Sequence, residues 1–99
     1  MATLGEQEIE ERLAGLDGWE RSSGDGADAI VRDLELADFA AALALVNRVG
    51  ELAERVDHHP DILIHGWNKV RLTLSTHSAG GLTNADFALA GQIDGLGRA

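Results

Sequence analysis

The chain has 99 residues, a formal net charge of −9, one proline and no cysteine. That length suits one domain with one modest core, and the lack of cysteine excludes disulfides, thiolate nucleophiles and Cys-ligated zinc. The acidic balance argues against direct nucleic-acid binding, which needs Lys and Arg clustered on one face to neutralise phosphates, and against anionic membrane surfaces.

In chain order, Thr3-Leu-Gly-Glu6 has the spacing of a capping box, and Ile9, Leu13 and Leu16 then recur at helical intervals, which predicts a helix over residues 5–15. Asp17-Gly18 stops it, and Trp19 opens an extended segment over 18–23. Ser22 to Ala27 is turn chemistry, with Gly24 and Gly26 free to adopt positive φ. Beyond it Ile30, Arg32, Leu34 and Leu36 alternate with Val31, Asp33 and Glu35, the period of a strand with one partly buried face. The two segments read as a hairpin. Asp38 is placed to cap a long helix reaching Val56, whose apolar stripe runs through Phe39, Leu43, Val46, Val49 and Ala53.

Pro60 then removes a donor and drives His59 toward extended geometry. Ile62 and Ile64 make a short strand and His65-Gly66 a turn. From Trp67 to Thr76, Val70, Leu72 and Leu74 alternate with Lys69, Arg71, Thr73 and Ser75, a second strong strand. Gly80-Gly81 reads as a turn rather than a phosphate loop, since no P-loop lysine or Gly-x-Gly-x-x-Gly pattern accompanies it. Thr83-Asn-Ala-Asp86 forms a second capping box, and Phe87, Ala90 and Ile93 give the last helix its apolar face.

The order α-β-β-α-β-β-α implies an α+β fold, a four-stranded antiparallel sheet covered on one face by helices, with the other face open to a ligand or a second subunit. An open sheet edge and a small core favour a homodimer or homotetramer. Residues 1–13 carry glutamates instead of an apolar leader, and no stretch approaches the roughly 20 apolar residues of a membrane span, so a cytoplasmic location is expected.

Three histidines fall at element boundaries, where side chains converge: His58 and His59 after the long helix and His77 after the strong strand. Imidazole exchanges protons near neutrality, so two or three in one cleft supply both an acid and a base. Glu54 lies one turn before His58, Asp57 beside it, and Asp86 in the first turn of the last helix. A carboxylate accepting an imidazole N–H would fix its tautomer. Each residue also has a plainer reading: His-His-Pro as a helix exit, Asp86 as a capping residue, Glu54 and Asp57 as solvated charges. Trp19 and Trp67 read as core or interface anchors, with one indole at a pocket rim a further reading. Three histidines and a carboxylate also make a workable zinc set, although adjacent ligands are awkward and no His-x-x-x-His pair occurs.

Asp57-His-His-Pro-Asp61, Asn68-Lys-Val-Arg-Leu-Thr-Leu-Ser-Thr-His77, Gly81-Leu-Thr83 and Asp86 together resemble the pterin-4a-carbinolamine dehydratase family. The resemblance extends upstream to Leu13-Ala-Gly-Leu-Asp-Gly-Trp19, Ile30 to Phe39 and Val46-Asn-Arg-Val49. It implies a four-stranded antiparallel sheet with three helices on one face. It also implies loss of water from a 4a-hydroxytetrahydropterin to give the quinonoid dihydropterin, without metal or organic cofactor. The family's active-site histidines correspond to His58, His59 and His77, and its supporting acids to Glu54 and Asp86. An aromatic amino acid hydroxylase would be the functional neighbour that generates such a substrate. The resemblance equally implies a non-catalytic alternative, since family members and family-like proteins act as dimerisation or assembly factors. Between Pro60 and Asn68 the chain looks one residue longer than the commoner pattern, with Trp67 where an aromatic, often tyrosine, is usual; a bulge or wider turn would absorb the difference.

Overall fold

The computed structural model describes residues 2–22 and 28–96; the glycine turn expected over 22–27 lies almost wholly outside the described residues. The elements run α1 (Glu6–Ala14), β1 (Trp19–Ser22), β2 (Ala29–Glu35), α2 (Phe39–Val56), β3 (Asp61–His65), β4 (Lys69–Leu74) and α3 (Asn84–Leu96), with a 3-10 turn at His77–Ala79. Strand order is β1-β2-β4-β3 and every neighbouring pair is antiparallel. The α+β order expected from hydrophobic periodicity is therefore the observed one.

Alternation along β4 decides which face the helices cover. Val70, Leu72 and Leu74 are fully buried. They join Ile30 of β2, Ile9 of α1, Leu45, Val49 and Leu52 of α2, and Phe87, Leu89 and Ile93 of α3 in one core cluster. Lys69 and Arg71 point the other way and are exposed, with Arg71 donating to Asp33 across the β2–β4 pair at 2.7 and 3.2 Å. The three helices thus lie on one face of the sheet.

Arg32 occupies the covered row of β2 and would be an error in an apolar pattern without a partner. Its guanidinium donates to Asp94 near the end of α3 at 2.6 Å and to the Asp17 carbonyl at 2.9 Å, and the Trp19 indole N–H donates to the same Asp94 oxygen at 3.0 Å. Gly18, at φ +86°, lets the chain pass beside this guanidinium, where a Cβ would stand 3.2 Å from its central carbon. The far end of α3 is fixed by this clasp.

Two local expectations change. The Thr3–Glu6 capping box does not form: the N-cap of α1 is Gly5, with no side-chain bond. The Glu6 carboxylate instead accepts two bonds from Arg21, at 2.6 and 2.8 Å, because a guanidinium fork offers more than one backbone N–H. The strand expected from Trp67 to Thr76 is also shorter. Gly66 and Trp67 both take left-handed backbone angles, φ +53° and +62°, so β4 starts at Lys69. His65 pairs with Lys69 and the register runs unbroken from there to Asp61↔Thr73, so the turn over 66–68, not a bulge, joins the strands.

Candidate active site

The histidines reach the site through the ending of α2. Asp57 takes the left-handed conformation, φ +54°, and the His58 N–H turns back to the Ala53 carbonyl at 3.1 Å. This αL stop sends the two adjacent imidazoles to different partners. Nε2 of His58 meets Oδ1 of Asp86 at 2.6 Å, whereas Nε2 of His59 meets Oε2 of Glu54, back on α2, at 2.5 Å.

Asp86 is fully buried at the first turn of α3 and serves two purposes at once. Its Oδ2 accepts the Thr83 backbone N–H at 2.9 Å, which realises the carboxylate half of the expected capping box. The same oxygen accepts the Thr76 hydroxyl at 2.8 Å, and the Thr76 and Thr83 hydroxyls lie 2.8 Å apart. With Thr76 donating to Asp86, the Thr83 hydroxyl donates to Thr76 and accepts the Ala85 N–H at 3.3 Å. Among the described residues no buried side-chain nitrogen or oxygen is left without a partner. A carboxylate out of water that accepts three hydrogen bonds, from His58, Thr76 and the Thr83 N–H, is held in place, and so is the imidazole it accepts from.

Thr76 escaped sequence reasoning, although a signal was present. It continues the covered row of Leu72 and Leu74, and a hydroxyl on that row needs a buried partner. The residue after it is His77. A tight loop closed by the Thr76↔Gly81 bridge, with Gly80 at φ +76°, presents His77 as an exposed residue at the start of the 3-10 turn. Gly80-Gly81 is thus a turn, as its sequence context indicates. The chain of bonds His58–Asp86–Thr76 therefore ends one residue from the second candidate acid or base.

Asp57 shapes the backbone, and its side chain makes no hydrogen bond among the described residues. Trp67 lies at the far end of β4 from His77, with about 20 Å of strand between them. It is 61% exposed, so within this chain it is not brought to the histidines. Among the described residues no set of three or more His, Asp or Glu side chains is gathered closely enough to hold a metal ion. No helix among them is long and apolar enough to cross a membrane.

Fold and site together define a class: a four-stranded antiparallel sheet with three helices on one face, carrying at one sheet end a histidine oriented by a buried aspartate. Residues 2–96 match the family model for pterin 4 alpha carbinolamine dehydratase, and the chain belongs to that family. A relative from Acidobacterium capsulatum, provisionally named a pterin-4-alpha-carbinolamine dehydratase, is 51% identical over 97% of this chain and 99% of its own length. A solved structure from Brucella melitensis, described as a transcriptional coactivator/pterin dehydratase, superimposes with a TM-score of 0.86 at 36% identity, covering 95% of this chain and 97% of that one. A pterin dehydratase-like protein described as a RuBisCO assembly factor in the alpha-carboxysome shares the fold, with a TM-score of 0.65 at 21% identity over 80% of this chain and 88% of its own.

Proposed function

We propose that the protein removes water from a 4a-hydroxytetrahydropterin, with His58 and His77 as the acid–base pair. An imidazolium gives its proton to the C4a hydroxyl as the C4a–O bond breaks, releasing water. A neutral imidazole takes the proton from N5, and the N5–H electron pair becomes the N5=C4a bond of the quinonoid dihydropterin. The observation that carries this reading is the buried His58–Asp86–Thr76 chain, which holds one imidazole in a single orientation beside the segment bearing the other. His59, paired with the exposed Glu54, positions substrate, and the reaction uses no metal or organic cofactor.

The protein works in the cytoplasm beside a source of the carbinolamine such as an aromatic amino acid hydroxylase, and as a homodimer or homotetramer. Exposed Phe39 and Leu43 on α2 and Leu63 on the edge strand β3 are the apolar side chains a second copy would cover. The test is decay of synthetic 4a-hydroxytetrahydropterin followed by absorbance, with wild type, His58→Ala and His77→Ala in parallel. Both substitutions are expected to lower the rate by about 100-fold. Full activity in both sinks the reading, and activity that depends on stoichiometric zinc sinks its cofactor-free part.

A further inference from the structure

The sheet ends in two unlike edges, β1 and β3. Opposed side chains in an antiparallel pair share a face, so a two-fold axis normal to the sheet, joining an edge strand to its own copy, passes through one residue. On β1 either interior centre sets a charge against its own image, Glu20 on Glu20 or Arg21 on Arg21. β3 reads Asp61-Ile-Leu-Ile-His65 and holds no lysine or proline to blunt it. Centred on Leu63, this strand complements itself: Leu63 faces its image, Ile62 faces Ile64, and Asp61 faces His65. Leu63, 53% exposed in the free chain, is covered by that pairing.

The same register reaches past the strand ends. Trp67, two residues beyond His65, comes opposite His59, two residues before Asp61, of the other copy. Within one chain these two residues lie beyond opposite ends of β3, and the indole is exposed. The His59 side chain is more than half exposed although its Nε2 meets Glu54, which leaves ring surface for an aromatic neighbour.

We infer that two copies pair antiparallel along β3 about Leu63, and that Trp67 of each copy packs on His59 of the other. The residue that no single chain brings to the histidines then arrives from the second copy. Its indole limits the positions of an imidazole that Glu54 alone tethers at the surface, so Trp67 is a positioning residue acting through His59. The inference rests on the two-copy reading above and adds to it the edge, the register and the residue exchanged.

The chain has no cysteine, so introduced cysteines report the register, with circular dichroism checking the fold of each variant. Under mild oxidation Leu63→Cys is expected to cross-link to its own image, because directly opposed Cβ atoms stand about 5 Å apart. Asp61→Cys alone, whose images are offset by about 13 Å along the strands, is expected to stay uncoupled, and to cross-link once mixed with His65→Cys. Leu63→Lys sets two like charges together and is expected to raise the dimer dissociation constant about tenfold or more in sedimentation equilibrium. The Trp67 emission, taken as wild type minus Trp67→Phe, is expected to shift to the red in Leu63→Lys. It is also expected to change in His59→Ala while the pair stays intact. A dimer in which Leu63→Cys fails to cross-link, or in which Asp61→Cys couples to itself, overturns the pairing and leaves the two-copy reading standing. A wild type that sediments as a monomer overturns both. Trp67 emission unaltered by Leu63→Lys or by His59→Ala overturns the exchange of Trp67. None of these measurements needs turnover, so their outcome is separate from that of the dehydratase reading.

Discussion

Two neighbouring histidines meet two carboxylates at nearly equal separation, yet the two regions are physically unlike. The side chains of His58 and Asp86 are 16% and 0% exposed, whereas those of His59 and Glu54 are 54% and 78% exposed. Water and salt screen the second pair, and holding two mobile side chains together costs entropy, so it stabilises little. The first pair survives burial only because Thr76 and Thr83 satisfy the remaining oxygen of Asp86. Contact distance alone does not separate an orienting dyad from a surface contact. Burial and the second layer of bonds do.

The largest break in that contrast is expected from Asp86→Ala, which strands the His58 Nε2–H, the Thr76 hydroxyl and the Thr83 N–H together. Urea denaturation should show a loss of about 3 kcal/mol. Thr76→Val keeps the shape and removes one hydroxyl, so the loss should be about 1 kcal/mol, with reduced dehydratase activity as His58 loosens. On the exposed side, Glu54→Gln should change stability by less than about 0.5 kcal/mol in the same assay. A Glu54→Gln loss equal to that of Asp86→Ala would erase the distinction.

The smallest effect concerns acid. Hydrogen bonding from Arg71 holds the Asp33 carboxyl below its ordinary value of 3.8. The unfolded chain therefore takes up that proton first as pH falls. The pair's small contribution is present above about pH 4 and is lost as pH drops through the lower folded value. Urea midpoints of wild type and Arg71→Gln should differ at neutral pH and converge in acid. A difference that grows in acid would contradict the assignment.

Much of the fold was legible because its signals are local. Period two in β2 and β4, Asp38 as cap and Pro60 as stop each speak within a few residues, whereas the stripe expected on α2 is displaced: Phe39 and Leu43 are exposed and Ala42, Leu45, Val49, Leu52 and Ala53 form the buried face. What stayed hidden depends on partners distant in sequence. Arg21 takes Glu6 from the expected capping box, and Asp94 accepts Arg32, 62 residues away. The positive φ of Trp67 could not be read from a residue type that ordinarily avoids it.

For the site, His58, His59, His77, Glu54 and Asp86 were legible as residue types at element ends. That His58 takes the buried acid and His59 the exposed one follows from the left-handed backbone at Asp57, which aspartate permits without announcing.

The most direct test of the dyad's role is the dehydratase rate of wild type beside His58→Ala and His59→Ala, on protein shown to be folded. The account predicts acceleration by wild type, a loss of about 100-fold in His58→Ala and a much smaller loss in His59→Ala. Equal losses in the two variants, or an active His58→Ala protein, would contradict it.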